Sequence, residues 1–145
     1  MRLESPAFKH NGTIPQKFTC QGEGVSPELL LVDVPNNAKS LVLIMDDPDA
    51  PSGVFDHWIA WNIPPDTKKL KEGVQLGNQG KNGYGITGYK GPCPPAGKPH
   101  RYFFKLYALE EELSLPEGAA KSRVERAMEG LILATAELIG TYQRS

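Results

Sequence analysis

Ser40-Leu41-Val42-Leu43-Ile44-Met45-Asp46-Asp47-Pro48-Asp49-Ala50-Pro51 is the stretch on which the reading of this chain turns. Residues 40–45 form an apolar run of strand length without polar alternation, the pattern of a central strand covered on both faces. The run ends in aspartates and prolines. That is a turn composition, since Asp side chains bond nearby backbone N–H groups and Pro fixes φ. A little further on, His57-Trp58-Ile59-Ala60-Trp61-Asn62-Ile63 reads as another strand, stopped by Pro64-Pro65. If the two runs pair antiparallel, Asp47, Asp49 and His57 share one end of a sheet.

Glu28-Leu29-Leu30-Leu31-Val32-Asp33-Val34 reads as an earlier strand, closed by Pro35-Asn36-Asn37. Arg101–Leu109 is a strong strand, rich in aromatic residues. Paired antiparallel with either flank of the central run, it brings His100 in at the same end as the aspartates. Residues 70–99 hold short β-like pieces among many glycines, so loops are expected there. After Pro116 the pattern changes. Ser122–Met128 is predicted helical, with Ser122 as N-cap and Glu125 three residues on, as in a capping box. Gly130 ends or bends that helix, and Leu131, Ala134, Ala136 and Leu138 are expected to continue a mostly apolar one. Gly140-Thr141-Tyr142 then returns as a final strand. Strands first and helices last make the chain mainly β with a helical C-terminal appendage, in one domain over 1–145.

Composition narrows the function classes. The formal net charge of -1 argues against general affinity for nucleic acid or an anionic membrane, both of which need a basic surface. The N-terminal Met1-Arg2-Leu3-Glu4-Ser5-Pro6 lacks the apolar core of a signal peptide, and no apolar run approaches membrane-spanning length. The expectation is a cytoplasmic protein with no stable membrane insertion. Cys20 and Cys93 are too few for a disulfide scaffold or a zinc ligand set of their own, and they read as two free thiols, with a disulfide the alternative.

Two of the three histidines, His57 and His100, each open an aromatic strand beside a Pro- and Gly-rich loop. Each residue has a plain structural reading as turn, half-buried polar group or core; the coincidence points to a shared site. Three chemistries fit. In an anion pocket, a carboxylate close to an imidazole favours the charged ring, which then donates to a phosphate oxygen. Gly91, Cys93 or Gly97 would supply backbone donors, because the intervening prolines have no N–H. Tyr102 would add a hydroxyl, and the aspartates would orient the rings. In a metal site, two His and one or two Asp would be ligands, although no short His-x3-His spacing supports this. In a hydrolase, an Asp–His pair would act as general base, but no nucleophile-elbow motif accompanies it.

At these residues the chain resembles the phosphatidylethanolamine-binding protein family in its bacterial and archaeal branch, a family that includes Raf kinase inhibitor-like proteins. The resemblance is carried by Phe18-Thr19-Cys20, Ser26-Pro27-Glu28-Leu29, the run Leu41–Pro51, His57-Trp58 and Trp61-Asn62-Ile63-Pro64. It continues through Gly88-Tyr89-Lys90-Gly91-Pro92-Cys93-Pro94-Pro95, His100-Arg101-Tyr102 and Ala136–Tyr142. It implies a β-sandwich with a large antiparallel sheet and short C-terminal helices, and a small cavity for phosphate-like anions or phospholipid head groups. By position, Asp47, Asp49, His57, His100 and Tyr102 match the family's pocket, with Gly91, Cys93 and Pro94 lining it. The resemblance also implies a cis Asp–Pro bond near the cavity, with Pro48 the candidate. Eukaryotic members carry a longer C-terminal element, so a more open site is expected where this chain stops at Ser145.

The resulting expectation is a non-enzymatic binding protein without cofactor or resident metal, holding a small anionic ligand and modulating a partner protein. The runner-up is a protease or kinase inhibitor acting through exposed loops, for which the Gly-rich segment from Gly73 to Gly91 is the candidate. A homodimer is expected by analogy with bacterial relatives.

Overall fold

The structure is a computed structural model that describes residues 1–144. Besides a 3-10 turn at Gln16–Phe18, nine strands and one α-helix among these residues follow in the order β1 (Arg2–Glu4), β2 (Gly12–Thr13), β3 (Leu29–Val32), β4 (Ser40–Asp47), β5 (Phe55–Ile63), β6 (Lys69–Leu70), β7 (Asn78–Gln79), β8 (His100–Leu109), α1 (Lys121–Met128) and β9 (Ile132–Tyr142). A six-stranded sheet has the order β2-β9-β8-β4-β5-β7, and a three-stranded sheet the order β1-β3-β6. All neighbours pair antiparallel except β2 and β9.

Every residue of β4 is buried, as its unbroken apolar run demands. Alternate residues of the strand point to opposite faces and so feed two cores. Leu41, Leu43 and Met45 join Trp58, Tyr102, Phe104 and Leu106 beneath the small sheet, packed on Leu3, Leu29 and Leu31. Val42 and Ile44 join Ile59, Trp61, Val124 and Met128 on the outer face, which α1 covers. Asp46 lies on this outer face and accepts from Lys105 and Lys121 Nζ, each at 3.2 Å. The lysines tie the helix and β8 to a carboxylate one residue before the end of the central strand.

The expected pairings hold. Register runs Met45↔Trp58 and Asp46↔Asp56 between β4 and β5, and Met45↔Phe104 and Asp46↔Phe103 between β4 and β8. The C-terminal segment differs from expectation. Residues 132–142 do not continue the helix; they form the longest strand of the fold and pair with β8 from His100↔Tyr142 to Leu109↔Ile132. Ala, Leu and Glu give this stretch local helix propensity, but the open edge of β8 offers eleven residues a ladder. Tertiary pairing outweighs a preference worth only tenths of a kcal/mol per residue. One short helix therefore stands where C-terminal helices were expected. It begins at Lys121 after Ala120, not at a Ser122 cap, and no side chain caps it. Gly130, at φ 79°, turns the chain out of the helix into β9.

Two further expectations are corrected. Cys20 and Cys93 are not free thiols but a disulfide, with Cα atoms 5.4 Å apart. The segments carrying them are already aligned, because Cys20 N–H donates to the Pro92 carbonyl and Tyr89 Oη to the Phe18 carbonyl. All described peptide bonds are trans, including Asp47–Pro48. The turn closes instead through Asp47 Oδ1, which accepts the Asp49 N–H at 2.7 Å.

Candidate functional site

The end of the large sheet where β4 stops and β5 and β8 begin holds a cavity of about 140 Å³. Its walls come from the 47–51 turn (Asp47, Ala50, Pro51), from β5 (Phe55, His57), from the 84–95 strap (Tyr84, Cys93, Pro94, Pro95) and from β8 (His100, Tyr102). A larger groove of about 690 Å³ lies along the 30–38 and 65–68 segments. Its ionisable groups, Asp33, Asp66 and Lys68, are all exposed, so the smaller cavity is the one where polar groups converge out of water.

His57 reaches this cavity through an irregularity. Met45 pairs with Trp58 and Asp46 with Asp56, so β5 carries one more residue than β4 at this point, and that residue is His57. Strict alternation would put His57 on the face opposite Trp58. The bulge turns it inward beside Tyr102, ring centroids 5.3 Å apart. Its Nδ1 lies 2.6 Å from the Lys90 carbonyl. A carbonyl only accepts, so Nδ1 carries the hydrogen and, in the neutral ring, Nε2 carries none. Burial lowers the His57 pKa from its ordinary value; the Lys90 carbonyl and the charges of Asp47, Asp56 and Asp46 oppose the shift without reversing it.

His100 is held differently. Its Nδ1 donates to Asp47 Oδ2 at 2.7 Å, and both side chains are largely buried. Asp47 therefore does two tasks, one oxygen capping the turn and the other orienting an imidazole. Tyr102 is fully buried, and its hydroxyl has no hydrogen-bond partner. Burial, with Asp47 nearby, raises its pKa well above the ordinary phenol value, so Tyr102 stays an O–H donor at neutral pH. An unpartnered buried hydroxyl costs stability, and a bound acceptor would relieve that cost.

Not every expected residue lines the cavity. Asp49 turns away and clamps Arg101, accepting from its backbone N–H and Nε at 2.9 Å each and from Nη2 at 2.8 Å. The guanidinium holds the Asp49 carboxyl at about 2, below the usual carboxylate range. Asp49 thus fixes the start of β8 and so positions His100. Gly91 supports the wall from behind. A Cβ there would sit 2.1 Å from the Phe18 carbonyl oxygen, so only glycine lets the strap lie this close to the 18–20 segment. The Gly97 carbonyl accepts from the Gln143 side chain.

Sequence reasoning missed Ala50, Pro51, Phe55, Tyr84 and Pro95. The signals were present in the aromatic Phe55 two residues before His57 and in Pro95 beside Pro94. Tyr84 comes from a loop that only folding brings near, its ring edge-on to Phe55 at 5.0 Å. Among the described residues no three His, Cys, Asp or Glu side chains come together in the arrangement a metal ion needs. Nor is any described helix long and apolar enough to cross a membrane.

A two-sheet β-sandwich with a small Asp/His/Tyr cavity at one end of its large sheet defines a recognisable class of binding protein. The chain belongs to the phosphatidylethanolamine-binding protein family, whose sequence model matches residues 4–143. It is 52% identical to the UPF0098 protein of Methanothermobacter thermautotrophicus, over 99% of each chain. The UPF0098 protein of Chlamydia trachomatis is 49% identical, again over 99% of each. The crystal structure of a phosphatidylethanolamine-binding protein homologue from Chlamydia trachomatis superposes with a TM-score of 0.95 at 48% identity, covering 99% of this chain and 97% of that one. That of E. coli YbcL, described as a member of the mammalian family, gives 0.91 at 29% identity over 99% and 98%.

Proposed function

We propose that this protein is a non-enzymatic binding protein whose cavity holds a phosphate-like anion, either a phospholipid head group or a phosphorylated ligand, and that occupancy modulates a partner protein. The observation that carries the reading is the Tyr102 hydroxyl, buried and without a partner, on a residue that lines one cavity together with His57 and His100. Imidazoles and a phenol around a cavity of about 140 Å³ suit a compact oxyanion. Family membership supports a binding role.

The test is NMR titration with inorganic phosphate and O-phosphorylated ligands at two pH values. Resonances of His57, His100 and Tyr102 should move together; if none moves at either pH, the reading is wrong. Replacing Tyr102 with Phe keeps the ring and removes one hydrogen bond to a charged group, worth roughly 1.5–3 kcal/mol. Affinity for phosphate, measured by calorimetry, should then fall on the order of tenfold or more with the fold unchanged.

A second reading has its own observation. Tyr84 and Ile86 stand exposed on the loop beside the cavity mouth, as a protease or kinase inhibitor engaging its target by a loop would require. Ile86→Ser, at an exposed position outside the cavity wall, separates the two. Lost inhibition with intact anion binding would favour the loop reading, and unchanged inhibition would dismiss it.

A further inference from the structure

The Cys20–Cys93 disulfide has two unequal ends. Cys20 sits exposed on the turn after Phe18, whereas Cys93 is half-buried between Pro92 and Pro94, both of them buried. A thiolate attacks a disulfide sulfur in line with the S–S bond, so solvent reaches Cys20 and Cys93 is the side that leaves. A cation stands at the leaving side. Arg144 Nη1 lies 3.9 Å from Cys93 Sγ, where a guanidinium favours a thiolate over a thiol. Its neighbours place it: Tyr142 Oη donates to Gln21 Oε1 and Gln143 Nε2 to the Gly97 carbonyl, fastening the end of β9 to the loops that carry either cysteine.

The bond is also redundant in the folded state. Cys20 N–H donates to the Pro92 carbonyl at 3.1 Å and Tyr89 Oη to the Phe18 carbonyl at 2.8 Å, so the two segments stay aligned without it. Thr19, fully buried, holds the turn through its Oγ1, which donates to the Gln16 carbonyl and accepts the Gln21 N–H. A bond whose ends stay held when it is cut can open and close without unfolding the domain.

We propose that Cys20–Cys93 is a thiol–disulfide exchange site, with Cys20 the attacked sulfur, Cys93 the leaving one and a thiol in solution the substrate. The assignment is independent of what the cavity binds. The incoming thiolate forms a bond to Cys20 Sγ; the Cys20–Cys93 bond breaks, and its electron pair goes to Cys93 Sγ as a thiolate beside Arg144. The mixed disulfide on Cys20 has two exits. Cys93 attacks it and restores the original bond, or a second reductant thiol attacks the reductant's sulfur and frees Cys20. The second route oxidises two thiols to one disulfide and passes two electrons and two protons to the cysteine pair. Reduction removes the cross-link while the hydrogen bonds keep the strap seated, so the site adjusts stability and leaves the fold in place.

The test exposes oxidised protein at pH 7 to glutathione, a monothiol that leaves a mixed disulfide, and to dithiothreitol, which completes the reduction. N-ethylmaleimide quenches each reaction, and peptide mass spectrometry reads what each sulfur carries. Glutathione should be found on Cys20 at least about tenfold more often than on Cys93, with maleimide on Cys93 of the same molecules. Dithiothreitol should reduce the bond completely with the far-UV circular dichroism unchanged. In Arg144→Gln, at an exposed position, reduction should slow roughly threefold, because the leaving thiolate loses its cation. Equal labelling of both cysteines by glutathione would overturn the proposal, as would an unchanged rate in Arg144→Gln. Reduction that proceeds only as urea unfolds the domain would overturn it too, and would make the bond a purely structural cross-link.

Discussion

Replacing Cys20 and Cys93 together with serine is expected to lower the melting temperature by on the order of 10–15 °C. The bond joins residues 73 apart. Chain-entropy arguments assign about 4 kcal/mol to closing a loop of that length, and each kcal/mol shifts the transition of a domain this size by roughly 2–4 °C. Cys93 is also part of the cavity wall, flanked by Pro94 and Pro95. The strap keeps other attachments, namely Cys20 N–H to Pro92, Tyr89 Oη to Phe18 and the close seat of Gly91. The variant should therefore fold to the same structure, with phosphate affinity reduced only a few-fold. Thermal melts of the wild type with and without reductant, beside the double serine variant, check this. A reduced protein melting with the oxidised one would show that the bond constrains little. Disulfides persist in oxidising compartments and inside hyperthermophiles, so thiol trapping at lysis would also test the cytoplasmic expectation.

Asp47→Ala is expected to cost about 3 kcal/mol and to abolish measurable anion binding. The carboxylate is buried and accepts two hydrogen bonds, from the Asp49 N–H and from His100 Nδ1. Bonds to a charged group contribute roughly 1.5–3 kcal/mol each, and removing one member of a buried pair costs in the range of 3–5 kcal/mol. Both estimates place the loss near the same value. Denaturant unfolding reads the stability, and phosphate titration reads the binding. Asp47→Asn separates the two effects. Its amide oxygen can still cap the turn, so most stability should return. The amide cannot balance a charged His100, so affinity should not. Full recovery of binding in Asp47→Asn would show that the carboxylate orients the ring without contributing charge.

Much of this site could be read from local pattern, because strand ends leave strong marks. A run that is apolar at every position from Leu41 to Met45 has nowhere to lie but between two layers. A Pro-rich turn after it fixes where the sheet ends. His57 and His100 mark the opposite ends of the partner strands, so antiparallel pairing brings both to the Asp47 turn. Asp49 shows the limit of such reading. It sits in the same motif as Asp47, but its side chain serves Arg101, and nothing in Asp-Pro-Asp distinguishes a carboxylate facing in from one facing out.

What the chain determines by itself is its layering: β4 as a buried strand, β5 and β8 on its flanks, and histidines, aspartates and a tyrosine at their shared end. These follow from period, turn chemistry and strand length, all local quantities. Tertiary structure alone decided the remainder, because each of these features depends on a partner far away in the chain. An extra residue in β5, visible only against β4, turned His57 inward. The open edge of β8 drew residues 132–142 out of a helix. A glycine fitted against Phe18 brought Cys93 to Cys20. Folding gave two identical side chains different partners, a backbone carbonyl of Lys90 for His57 and the carboxylate of Asp47 for His100.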